Sequence, residues 1–160
     1  MRHRIRQFLT AGRRPSADDL ELARAYLAPP LNELFLHQHP RDICHGVATA
    51  RWLLARGHDD AELIAAALLH DVGKGPQRRI DRALYVVAAS WGCAERLASP
   101  TSRFELRRAA ERSLHHAERG AVLLERSGAP ARVVELTRRH HDPPGGDGML
   151  ALLQRADAES

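Results

Sequence analysis

The sequence predicts an all-α protein, a single compact bundle of about six to eight helices, and three observations lead there. No segment sustains the apolar–polar alternation of a half-buried strand. Apolar residues instead recur at helical spacing, and the stretch 61 to 70 is apolar on every side, as a helix buried in the middle of a bundle must be. Between such stretches fall proline, glycine and cap signals that divide the chain into helix-length pieces.

The elements follow in order. Residues 1 to 15 form a basic arm ending in Gly12-Arg13-Arg14-Pro15. Ser16, with Asp19 three positions on, is a cap for a helix over 18 to 28, which Pro29-Pro30 ends. A short helix over 31 to 36 comes next. Pro40 opens a helix that runs to Ala55 and stops at Gly57. Asp59 or Asp60 caps the central helix, 61 to 70. The loop Gly73-Lys74-Gly75-Pro76 leads to a helix over 80 to 91, a break at 99 to 102, and a long, bendable helical pattern over 104 to 126 that ends before Gly128. Pro130 opens a helix reaching His140 or His141. A turn-rich loop over 142 to 148 precedes a last helix over 149 to 158.

A chain of 160 residues is about one domain, so 16 to 160 reads as one unit. Hydrophobic content of 44% and charged content of 28% suit a soluble protein, and no apolar run approaches the roughly 18 residues of a membrane helix. The basic start lacks the apolar stretch of a secretory signal, and Cys44 and Cys93 carry no paired spacing and read as small core residues, so a cytoplasmic setting is expected. A net charge of +4 attracts anions. Arginines are scattered, aromatics are only 4%, and no Arg/aromatic cluster forms a base-stacking platform, which argues against dedicated nucleic-acid binding.

The most distinctive residues close the central helix: Leu68-Leu69-His70-Asp71-Val72-Gly73-Lys74. Two adjacent metal-ligand side chains end an apolar helix, and Lys74 is the only lysine among 24 cationic residues. His45, His116, His140, His141 and Asp157 lie at the ends of, or along, further apolar segments. Helical spacing separates inward side chains from bystanders. His115 shares its face with Arg108, Glu111, Arg112, Glu118 and Arg119, whereas His116 shares its own with Ala109, Ser113, Gly120 and Leu123. His116 is therefore the inward one. Val133, Leu136 and Thr137 align with His140, and Val134 and Thr137 with His141; Asp157 follows Leu150 and Leu153 on an apolar face. Five inward histidines and two inward aspartates make an unreasonably polar core unless something holds them together. His3, His37, His39 and His58 have no such alignment and read as surface residues.

In this order the residues resemble the H…HD…H…HH…D pattern of the HD-domain superfamily of metal-dependent phosphohydrolases, over roughly 40 to 158. The resemblance implies that His45, His70, Asp71 and Asp157 hold one divalent metal ion and Asp71, His116, His140 and His141 a second, with Asp71 bridging. One carboxylate can hold two cations roughly 3.5–4 Å apart, and such a pair activates a water for attack on a phosphate ester. Iron, manganese, cobalt, nickel and zinc all suit imidazole and carboxylate donors. Lys74 looks like the phosphate-contacting lysine of HDxxK-type members, which makes Asp71 and Lys74 the expected catalytic pair, with Arg78 and Arg79 as weaker phosphate contacts.

The departures narrow the class. His141-Asp142-Pro143-Pro144-Gly145-Gly146 stands where HD-GYP cyclic-dinucleotide phosphodiesterases carry their GYP loop. Arg41 stands one turn before the first histidine, where trinuclear members place an acidic residue. Val72-Gly73-Lys74-Gly75 replaces the acidic pair of guanosine-tetraphosphate hydrolases. A compact dinuclear hydrolase of a nucleotide or related phosphate ester is expected, with a dinucleoside polyphosphate hydrolase, a non-catalytic HD binding module and a di-iron oxygenase as alternatives. Substrate, metal identity and oligomeric state are not legible in the spacing.

Overall fold

The computed structural model describes residues 14–75 and 115–160. The expected helix over 80 to 91, the break at 99 to 102, most of the basic arm, His3, Cys93, Arg78 and Arg79 lie outside the described residues, as does the expected helical pattern from 104 to 114. Within them the chain forms seven α-helices and one 3-10 turn, and no strand. They are α1 (Ala17–Tyr26), α2 (Pro29–Leu36), α3 (Pro40–Leu54), α4 (Ala61–Leu69), the 3-10 turn (Val72–Lys74), α5 (His116–Arg126), α6 (Ala131–Arg139) and α7 (Gly148–Glu159).

Local chemistry accounts for the boundaries. Ser16 and Asp19 form a reciprocal capping box at the start of α1, each side chain bonding the other's backbone N–H. Pro29 and Pro30 do not merely end α1. They supply the first turn of α2, where a missing N–H goes unused and the fixed φ is already helical. Asp60, of the two aspartates offered by the sequence, caps α4, accepting from the backbone of Glu62 and Leu63 at 3.0 Å each. Gly57, with φ +80, ends α3: its N–H reaches Leu54 O at 3.0 Å and that of His58 reaches Leu53 O at 3.1 Å, which occupies two otherwise orphaned carbonyls. The expected pattern over 104 to 126 does not continue through His115, whose φ of −108 and ψ of 18 place it outside the helix, so α5 starts at His116.

α4 is the centre of the bundle. Positions 63 to 69 are buried throughout, and α1, α3, α6 and α7 pack around them. Fully burying a leucine is worth roughly 1.5–3 kcal/mol, so Leu63, Leu68 and Leu69, each at most 2% exposed, hold this helix in the interior. Gly46 lets α3 approach it closely, since a Cβ there would lie 2.8 Å from Leu68 O. Arg51 pairs with the buried carboxylate of Asp19 at 2.9 Å and ties α3 to α1. Trp52 donates its indole N–H to Glu159 at 3.2 Å and ties α3 to α7. Cys44 is half-buried rather than a core residue, because its position on α3 falls between the two buried rows.

Candidate metal centre

Because α4 runs through the core, its C-terminus delivers His70 and Asp71 to the interior, 1% and 4% exposed. A buried imidazole must satisfy its ring nitrogens. His70 donates Nδ1–H to Ala67 O at 2.9 Å, which leaves its Nε2 buried with no hydrogen-bond partner. His140, at the end of α6, repeats the device: Nδ1–H bonds Thr137 O at 2.7 Å and Nε2 points inward. Each helix thus uses its own last carbonyls to fix one ring orientation and to aim an Nε2 at the same region.

The other side chains gather around those two. His45 on α3 and Asp157 on α7 meet at 2.7 Å, and Asp157 Oδ1 lies 3.6 Å from His70 Nε2. His116, the first residue of α5, brings Nε2 to 3.2 Å from His140 Nε2 and 3.1 Å from His141 Nε2. Two triads result, His45/His70/Asp157 and His116/His140/His141, and within each the potential ligand atoms all lie within 4.8 Å of one another. Asp71 stands between them, with Oδ2 3.6 Å from His70 Nε2 and Oδ1 3.4 Å from His116 Nε2. All seven residues singled out from the sequence are therefore in one place. His116 is buried and His115 exposed, as their helical faces required. His141 is exposed as a residue, yet its ring reaches His116, which puts it at the rim.

Lys74 reaches back from the 3-10 turn and pairs with Asp71 Oδ2. Its ammonium is thus directed at the carboxylate, and contact with a phosphate requires it to turn outward. Of the surface histidines, His37 is exposed and bonds Glu33 O, while His39 caps α3 by accepting from Arg41 N at 3.3 Å. Gln154 has a role that helical spacing does not signal, since a glutamine on a helix reads as a solvated residue. Its amide donates to His140 O at 3.2 Å and to Asp142 O at 2.6 Å, pinning the double-histidine turn to α7.

The electrostatics sort the clustered side chains. Burial disfavours the charged form of His70, but Asp71 and Asp157 outweigh it and raise the imidazole to about 9. Burial also opposes ionisation of Asp71, and here Lys74 and His70 prevail, holding it well below the carboxylate range. Asp157 is lowered likewise, against burial, by its hydrogen bond from His45 and by the charge of the neighbouring His70 imidazole. His140 goes the other way: burial first, then its neighbours His70 and His141, depress it to about 3. His141 is lowered by burial and by His116. His140 and His141 consequently keep neutral rings at pH 7.

These features fit a divalent metal. Three imidazole nitrogens crowded to 3.1–3.2 Å cannot all satisfy one another with the few protons available. The buried Nε2 of His70 has no hydrogen-bond partner in the protein. Nitrogen and carboxylate donors without thiolate suit a transition metal, and the backbone bonds to Nδ1 supply the orienting support that such histidines need. His45, His70, Asp71 and Asp157 could hold one ion, and Asp71, His116, His140 and His141 another.

Comparison with known families gives a match to the HD domain over residues 43–159, a span that contains all seven of these side chains. No curated protein and no solved structure matches the chain.

Proposed function

The chain belongs to the HD-domain family, and from that membership and the geometry of the two triads we propose that it is a metal-dependent phosphohydrolase with a dinuclear site, acting on a phosphate ester of a nucleotide or a related small phosphorylated metabolite. The observation that carries the reading is Asp71, whose two oxygens face different triads at 3.6 and 3.4 Å. When bound, a divalent pair supplies a hydroxide nucleophile at neutral pH and charge stabilisation for the phosphate oxygens.

The chain's own residues do the rest. Buried His70 and His140 have ring orientations fixed by their Nδ1–H bonds, so little reorganisation precedes ligation, in which the Nε2 proton of His70 gives way to a metal. Asp71 and Asp157, ionised across the neutral range, bring negative charge to the site. Lys74, partly exposed at the rim, is placed to trade its contact with Asp71 for a substrate phosphate, for which an ammonium serves as a point charge. Among the described residues, no helix is long and apolar enough to cross a membrane.

The test is a phosphatase screen on the metal-loaded protein over nucleotides, cyclic dinucleotides and dinucleoside polyphosphates, read as released inorganic phosphate or mononucleotide. Turnover that needs metal and disappears in Asp71→Ala supports the reading. Tight metal binding without turnover on any of these classes would overturn it and favour a binding module.

A further inference from the structure

Nothing local in the chain fixes the second triad relative to the first, because His116 follows Asp71 only after a long excursion. The two halves meet instead at a backbone contact. A Cβ on Gly73 would lie 2.0 Å from His116 O, 2.5 Å from Gly120 N and 3.0 Å from Gly120 Cα, so the turn after Asp71 rests directly on the first turn of α5. From the other side, a Cβ on Gly120 would lie 3.2 Å from Gly73 N, 3.2 Å from Thr137 Cγ2 and 3.4 Å from Val72 Cγ1. Neither glycine has a positive φ, so both are required for space and not for backbone conformation. Three ligands leave from this contact within about one helical turn: Asp71 two residues before Gly73, His116 four before Gly120, and His140 three after Thr137, whose carbonyl takes its Nδ1–H.

We infer that Gly73 and Gly120 are positioning residues whose backbone contact sets the spacing between the two ligand triads, and thereby decides whether the site holds a coupled pair of ions or a single one. The inference rests on the metal-site reading above. A methyl group at Gly73 has to gain about 1 Å or more from backbone atoms before it reaches even the closest spacing that a Cβ tolerates. α5 moves as a rod, so His116 departs with it from an Asp71 now 3.4 Å away. The triad His45/His70/Asp157 is built on α3, α4 and α7 and is untouched by that shift.

The experiment loads the full chain with Mn(II) and follows ions bound per chain together with the electron paramagnetic resonance spectrum. Wild type is expected to bind two ions with an exchange-coupled signal. Gly73→Ala is expected to keep its helical circular dichroism and the tighter ion but to weaken the second by about tenfold or more, leaving the six-line signal of isolated Mn(II). Gly120→Ala, whose methyl needs only a few tenths of an ångström, is expected to keep both ions with weakened coupling. Loss of fold alone would not produce this split, because it releases both ions together. Gly73→Ala with two coupled ions at wild-type affinity would overturn the inference while leaving the metal site standing. Should Gly73→Ala not fold, Gly120→Ala decides, and unchanged coupling there would overturn it equally. A wild-type chain that binds no Mn(II) would instead overturn the metal-site reading.

Discussion

Replacing Asp71 by alanine removes, among the described residues, the one carboxylate that faces both triads. Each proposed ion loses a ligand at once. An ion that binds only the native state stabilises it by RT ln(1 + [L]/Kd), or roughly 2.7 kcal/mol at a hundredfold excess over Kd. For a chain of this size each kcal/mol moves the melting temperature by roughly 2–4 °C, so stripping one ion from the wild type lowers it by roughly 5–11 °C, and two ions lower it further. Asp71→Ala should show a small fraction of that drop. The comparison is made within each protein, loaded against chelated, because the substitution also perturbs the metal-free state: Lys74 loses its contact with a buried carboxylate, and His70 loses the neighbour that most raises its pKa. The assay is differential scanning calorimetry with and without chelator, alongside elemental analysis. Full metal content and a chelation shift equal to that of wild type in Asp71→Ala would refute the bridging role.

Three further outcomes are expected. His116→Ala should lose one ion and most hydrolysis, whereas His115→Ala should lose neither, since His116 is buried between Asp71 and His140 and His115 is exposed; elemental analysis of the pair checks this, and the reverse pattern would show the helical phase misassigned. Lys74→Ala should keep its metal and raise KM more than it lowers kcat, as steady-state kinetics would reveal. The Asp147 carboxyl is held below the ordinary aspartate range chiefly by its hydrogen bond from Arg132, then by the N–H of Leu150. A carboxyl lowered in the native state contributes stability above its unfolded pKa, and that contribution is lost as the pH falls through the acidic range. The melting temperature of Arg132→Ala should therefore trail wild type most at neutral pH, with the gap closing below about pH 4; a gap constant between pH 7 and pH 3 would contradict the pairing.

The clustering of the candidate ligands was legible because helical spacing gives several of them an address. His116 and His115 differ by one residue and so by roughly 100° around an axis, which is enough to separate a buried ring from an exposed one. The apolar character of 61 to 70 likewise announced a central helix whose end had to lie inside. What the spacing could not give was anything made by backbone proximity. Spacing places Gly120 on the inward face of His116 but does not reveal its contact with Gly73, and Gln154 reaches two carbonyls twelve and fourteen residues away from a position that looks solvated. Pro29 and Pro30 were ambiguous for a local reason, since proline both ends one helix and starts another. The start of α5 at His116 also lacked a signal, because no proline or side-chain cap marks it.

The two triads differ in how far apart their members lie along the chain. His116 and His140 are 24 residues apart and sit on consecutive described helices, whereas His45 and Asp157 are separated by 112. Closing the longer loop carries about 1.4 kcal/mol more entropy, so the second triad is within reach of an early, locally assembled α5–α6 pair, and the first is completed only when the two ends of the fold have come together. An ion held by His45 and Asp157 consequently grips a contact made late in folding. Its effect falls on the rate at which the native protein comes apart and hardly on the rate at which it forms, so that metal supply would govern how long a finished molecule lasts rather than how many molecules reach the finished state.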